Sequence, residues 1–248
     1  MERKDEAVVL SARPWRETSL IISFFGREGG RFSCVAKGAR RHKGGLGNAA
    51  EPLSVVRVVY SAKEGRGLQT LTAATLVAPN QSLREDAVRF ACGSWLCELV
   101  MQLVPEDVPA PEIFALLRGG LEALSRTRSP LVVVRWFQIR LLDELGYGGW
   151  EGVCAGCGRP LLEAARLSAA GGLYCDGCQA SGVAYALGKG ALALVGYLAR
   201  ADAEGAARTG AAGAILAELC ALDRLFETLV GKPSKAGGVA LCLAKARG

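Results

Sequence analysis

Four cysteines in the order C-x2-C-x17-C-x2-C, at Cys154, Cys157, Cys175 and Cys178, constrain this chain more than any other feature. Two residues between paired cysteines make a turn tight enough for both sulfurs to reach one ion, and two such turns complete a tetrahedron. Glycines at 156, 158 and 177 offer turn conformations with positive φ and leave backbone N–H groups open to the thiolates. The 17 residues between the pairs suffice for a small hairpin carrying the second pair. The spacing predicts one bound Zn2+. Four protein ligands close its shell, so no position is left for water or substrate and the ion is structural. A redox C-x-x-C pair belongs in a βαβ setting, which the flanking sequence lacks. Cys34, Cys92, Cys97, Cys220 and Cys242 stand singly in apolar patterns and are expected to be buried packing residues. Nine cysteines is an odd number, which argues against a disulfide framework and for a reducing compartment.

The metal module is set in a chain whose two ends differ. Up to residue 80 the pattern is of short β-branched and aromatic runs with turn signals between them. "AVVLSAR" (7–13) ends at Pro14, "TSLIISFF" (18–25) at a glycine cluster, and "RFSCVAK" (31–37) at a basic loop. "PLSVVRVVYSA" (52–62) and "LQTLTAATLV" (68–77) complete a set of five strands. Five short strands in about 80 residues predict a small closed barrel of the OB type. After Pro79 the period changes to that of helices. "SLRE" at 82–85 reads as a capping box, with Leu83, Ala87, Phe90, Cys97, Met101 and Val104 on one face of the helix that follows. Further helices are expected from Pro111, from Pro130 to the glycine at 146, over "LALVGYLARA", and over "AILAELCALDRLFETLV". The Ala/Gly-rich stretch 203–214 is expected to be a loop. The fold class is therefore α+β: an N-terminal five-stranded OB-fold barrel over 1–80 and an α-helical domain over 81–248, with the zinc insert at about 150–182.

No apolar run reaches the ~18 residues of a membrane span. The acidic start "MERKDEAVVL" does not resemble a signal peptide, so a cytoplasmic location is expected. The net charge of +6 is unevenly spread. Residues 1–80 hold 13 Lys or Arg against 7 Asp or Glu, whereas residues 81–248 hold 17 of each. All the excess positive charge therefore lies on the barrel, where it attracts polyanions. Its densest point is "VAKGARRHKGGLG" (35–47), which carries Lys37, Arg40, Arg41 and Lys43 and no acid. Arg31 shares the outward face of the preceding strand with Ser33 and Lys37. These five cations are the candidate nucleic-acid contacts. Trp15 and Phe25 are candidate platforms for bases, with packing against the helices as the competing role.

Catalysis finds little support. The one histidine, His42, stands in the basic loop with nothing apolar near it to orient an imidazole. No P-loop order occurs, and the carboxylates of Asp143 and Glu144 diverge on a helix. The chain is expected not to be an enzyme.

"RPWRETSLIISFFGREGGRFSCVAKGARR", "FQIRLLDELGYG" leading into "CAGCG", and "LVGKPSKAG" resemble, in that order, the bacterial recombination mediator family RecO. The resemblance covers nearly the whole chain. It implies an N-terminal OB-fold, a helical C-terminal domain and a four-cysteine insert that only some members keep. It also implies a mediator that binds single- and double-stranded DNA and anneals complementary strands. With RecR, and often RecF, such a mediator loads RecA onto DNA coated by single-strand binding protein, whose acidic C-terminal tail it binds. Nucleoid association then accompanies DNA binding. The family's basic barrel positions correspond to Lys37, Arg40 and Arg41. Two other readings keep the architecture and change the partner: an RNA-binding protein with a zinc ribbon, and an interaction scaffold with incidental DNA binding.

Overall fold

The computed structural model describes residues 2–40, 51–61, 67–169, 171–178 and 182–247. It divides into two compact units, Met1–Leu121 and Glu122–Gly248. The expected boundary at 80/81 separates strands from helices, whereas the compact units part within a helix.

The first unit is built on a closed five-stranded barrel with strand order β1-β2-β3-β5-β4. The strands are β1 (Glu2–Trp15), β2 (Ser19–Gly26), β3 (Gly30–Ala36), β4 (Val55–Ser61) and β5 (Gln69–Ala78). All neighbours are antiparallel except β3 and β5, whose short parallel pairing (Cys34 with Gln69, Val35 with Thr70) closes the barrel. β1 is twice the expected length because it serves two partners, β4 along Glu2–Val8 and β2 along Ala7–Trp15. A bulge between Val9 and Ser11 bends it from one to the other.

Strict alternation sets the interior. Along β3, Phe32, Cys34 and Ala36 point in, while Arg31, Ser33 and Val35 point out. The inward set joins Val9, Ile22, Phe24, Val56, Val58, Tyr60 and Leu71 in one core. Within it, Phe32 packs with its centroid 5.4 Å from Phe24 and 4.4 Å from Tyr60. The outer face of β2 is also apolar, because helices of the same unit cover it. Phe25 is fully buried and its ring meets Phe114 at 6.1 Å.

Those helices are α1 (Gln81–Arg84), α2 (Ala87–Leu103) and the start of α3 (Pro111–Arg126). Ser82 is not a cap. It lies inside the short α1, and the chain restarts at Asp86, whose carboxylate accepts from the N–H groups of Val88 and Arg89. That restart rotates the buried face. Leu83, Cys97 and Val104 are buried as expected, but Ala87 and Phe90 are exposed, and Val88, Cys92, Trp95, Leu96 and Leu99 pack inward as well. An aspartate before an apolar run is as good a cap as a serine, so both starts were available to the sequence.

In the second unit the central element is α4 (Pro130–Glu144), buried continuously from Val132 to Ile139 and again at Leu141 and Leu142. It starts with Pro130 behind Ser129, although the serine side chain makes no capping bond, and it stops before Gly146 in the left-handed region (φ 84°). A three-stranded sheet, β7-β6-β8, follows, from β6 (Ala164–Ser168), β7 (Leu173–Tyr174) and β8 (Ala184–Gly188). The expected hairpin is β6–β7, and β8 adds an edge strand that the sequence pattern does not announce. Then come α5 (Lys189–Arg200), α6 (Ala203–Arg208), α7 (Gly213–Glu218), α8 (Ala221–Val230) and α9 (Lys235–Arg247).

Two expectations fail in this unit. Residues 203–214 are a loop only at 209–212, because Asp202 caps α6 (203–208) through the Gly205 N–H and α7 begins at Gly213. The single helix expected after 213 is broken at Leu219–Cys220 into α7 and α8. The cysteines outside the metal module also divide. Cys34, Cys92 and Cys97 are buried as expected, and burial pushes Cys34 and Cys97 up to about 12, so both stay protonated. Cys220 is only half-buried, and Cys242 is exposed on α9.

Candidate metal centre and nucleic-acid interface

The four sulfurs of Cys154, Cys157, Cys175 and Cys178 lie within 4.8 Å of one another. Sulfurs at the corners of a tetrahedron with Zn–S bonds of ~2.3 Å stand about 3.8 Å apart. Cys157 and Cys175 are at 3.9 Å, so the donor set fits a single tetrahedral ion with little adjustment. Two tight turns present the sulfurs. The first is closed by the Gly158 N–H donating to Cys154 O and the Cys154 N–H donating to Arg159 O, both at 2.8 Å. The second is closed by the Cys178 N–H donating to Cys175 O.

Of the three glycines, only Gly158 takes positive φ (72°). Gly156 is needed for closeness, since a Cβ there would stand 3.1 Å from both Cβ and Sγ of Cys178. Gly177 has ordinary room.

The electrostatics favour the thiolate at Cys154 and Cys157 and oppose it at Cys178. The Cys175 N–H, 3.3 Å from Cys154 Sγ, is the main reason that thiol is pulled down to about 6. The backbone of Arg159 is the main force lowering Cys157. Cys178 is pushed up to about 12, first by Cys157 and then by Cys175 and Cys154, since neighbouring negative sulfurs hold its proton. A divalent cation removes that conflict.

Two arginines complete the site. Arg159 Nη2 stands 3.6 Å from Cys175 Sγ. Arg166, on β6, donates to the carbonyls of Cys175, Asp176 and Cys178 and so braces the second turn from behind. Neither was identifiable from sequence, because an arginine just past a turn (Arg159) or on a short strand (Arg166) carries no motif.

The basic candidates fall into three groups. Lys37 and Arg40 are exposed in the turn that ends β3, where the Arg40 N–H donates to Thr18 O at 3.0 Å. Arg31 is engaged by the protein. Its Nε donates to Val104 O, its guanidinium faces Glu106, and its side chain is only 18% exposed. Tying down the 104–107 segment is its structural task, and a short bridge between Arg31 and Glu106 reinforces it. Arg41 and Lys43 lie outside the described residues, as does His42.

Beside Lys37 an open groove of about 510 Å3 crosses the barrel mouth where β3 meets β5. The β1–β2 turn, the end of β3 and the start of β5 line it. These are the strand faces and loops by which OB-folds take oligonucleotides. No helix among the described residues is long and apolar enough to cross a membrane.

Comparison with known proteins agrees with this arrangement along nearly the whole chain. Residues 1–80 match the family described as Recombination protein O N terminal, and residues 84–236 match Recombination protein O C terminal. The DNA repair protein RecO of Frankia casuarinae is 34% identical over 206 residues, which cover 82% of this chain and 84% of that protein. That of Syntrophobacter fumaroxidans is 34% identical over 163 residues, covering 66% of this chain and 64% of that protein, just under two thirds of its length. That of Methylococcus capsulatus is 38% identical over 145 residues, 58% of each chain.

Proposed function

Since the chain belongs to the recombination protein O family, we propose that it is a non-enzymatic DNA repair mediator whose barrel holds DNA by its phosphates. The observation that carries this reading is the pair of exposed cations, Lys37 and Arg40, beside the groove of an OB-fold barrel. Residues 1–80 hold the chain's whole excess of positive charge and are taken as the nucleic-acid-binding part. Arg41 and Lys43 extend the contact set, and Arg31 stands apart as a structural residue. Phosphate contacts supply affinity without reading sequence, which suits a protein that must act wherever damage occurs.

The finer role follows from the family. The protein binds single- and double-stranded DNA in the cytoplasm, on the nucleoid, and anneals complementary strands. With RecR, and with RecF, it assists loading of RecA onto strands coated by single-strand binding protein. It takes the acidic C-terminal tail of that protein on residues 81–248. One Zn2+ on Cys154, Cys157, Cys175 and Cys178 has a structural part, because all four positions of a tetrahedral ion are filled by protein.

The test is a titration with labelled single strands, duplex DNA and RNA at several salt concentrations. Four phosphate contacts contribute about −3 to the slope of log affinity against log salt on single strands, at roughly −0.7 per contact. Replacing Lys37 and Arg40 together by Ala should remove about half of that, equally for unrelated sequences. An unchanged slope removes the DNA assignment from these residues. A clear preference for RNA, or affinity too weak to measure at physiological salt, favours the RNA-binding or scaffold alternative.

A further inference from the structure

A strand held only by its phosphates binds whether or not it is paired, so discrimination of unpaired DNA needs a second element. The groove beside Lys37 contains one. Trp15, the last residue of β1, is 41% exposed at its edge, and Leu68 is 37% exposed on the β5 side. Arg16 and Lys37 supply positive charge, Ser19 and Thr70 supply hydroxyls, and no acid is among the described lining residues. The mixture of an indole face, an aliphatic surface and adjoining cations matches one nucleotide, whose base is flat and apolar and whose linkage is anionic. The other candidate platform is excluded. Phe25 is fully buried against Phe114, so no base can reach it.

We infer that Trp15 is a stacking platform for a single unpaired base, seated in this groove with Leu68 alongside and its flanking phosphates on Lys37 and Arg16. This rests on the DNA-binding role proposed above and adds to it a means of telling unpaired strands from duplex. Bases in a duplex are already stacked on both faces, so the indole finds a partner only on a single strand or at a frayed end. Every base has a π face, so the site selects strand state and not sequence.

The other three tryptophans, Trp95, Trp136 and Trp150, are each 3% exposed or less. Quenching of the protein's own emission therefore reports chiefly on Trp15. The probes are oligo(dT), an abasic strand with the same number of phosphates, and a duplex. Oligo(dT) should quench the emission of the unaltered full chain at saturation, and the abasic strand should not. Trp15→Ala should weaken oligo(dT) binding about 5- to 150-fold, the range that corresponds to loss of one stacked base. Affinity for the abasic strand and for the duplex should stay the same, as should the salt slope, and Trp15→Phe should keep most of the oligo(dT) affinity. Because the residue is exposed, the melting temperature should barely change.

Equal quenching by the abasic strand, or a Trp15→Ala protein that binds oligo(dT) as well as the parent, overturns the stacking site. The Lys37→Ala/Arg40→Ala protein separates the two levels. If it binds both strands more weakly while Trp15→Ala has no effect, DNA binding by the barrel stands and the stacking site alone falls. If neither protein differs from the parent on any probe, both fall together.

Discussion

Asp223→Ala should be among the most damaging single substitutions in the second unit, and its effect can be worked out from the contacts around Arg135. That arginine lies on α4, is 1% exposed and pairs bidentately with Asp223 on α8: Nη1 to Oδ1, and Nη2 to Oδ2 at 3.0 Å. Gln138 locks the pair from one side, accepting from Arg135 Nη1 at 2.7 Å and donating to Asp223 Oδ1 at 2.9 Å. Removing the carboxylate takes away three of these bonds at once and leaves a guanidinium buried without a counter-charge. Breaking one partner of a buried pair costs about 3–5 kcal/mol. Here the Asp223 side chain keeps 15% exposure, so water can reach the gap and the lower figure, about 3 kcal/mol, is expected. At roughly 3 °C per kcal/mol for a chain of this size, the melting temperature should fall by about 10 °C. Thermal melts followed by near-ultraviolet circular dichroism, at low and high salt, give the measurement. The loss should be nearly independent of salt, since buried pairs are poorly screened. Replacing all three partners together (Arg135→Met, Gln138→Leu, Asp223→Leu) should recover most of the loss, because the desolvation penalty goes with the charges. A fall under 1 kcal/mol for Asp223→Ala, or a triple variant no more stable than the single one, would refute the claim that the unpaired charge is the source of the damage.

Two further outcomes are expected. Metal analysis should find one zinc per chain, and Cys175→Ser or a strong chelator should release it and open residues 150–182 to protease while single-strand binding by the barrel persists; protein purified without chelator and found metal-free contradicts the assignment. Gly30→Ala should destabilise the barrel unit by about 2 kcal/mol, since Gly30 has φ 67° and a Cβ there would lie 2.1 Å from the Val108 carbonyl oxygen; a melting temperature equal to the parent's would show that the 104–108 segment yields freely.

Much of this protein could be read without a structure wherever the relevant interaction is local. The four-cysteine spacing is of this kind. A C-x-x-C turn needs only its own backbone to aim two sulfurs together, so the ligand set followed from spacing and the structure brings the same four residues within reach of one ion. The five strands were legible because the runs are β-branched and aromatic, with period-two alternation in β3 and β4, and turn signals of proline or glycine follow each run. The sequence also located the excess charge and placed Lys37 and Arg40 at the end of a strand.

The remainder depended on what meets what across long separations. Arg31 looked like Lys37 in sequence, a cation on the outward face of one strand. Only the return of the chain at Val104–Glu106 separates them, one tied to the protein and one open to solvent. Phe25 and Trp15 were equivalent as possible platforms until helix α3 brought Phe114 onto the first and left the second at the rim of a groove. The groove itself exists because β3 and β5, far apart in sequence, pair briefly in parallel and bring Leu68 and Thr70 opposite Trp15 and Lys37. Periodicity and spacing report the state of one segment at a time. Burial of a given side chain is decided by a second segment whose position follows from closing the barrel and packing helices on it, and no local pattern carries that information.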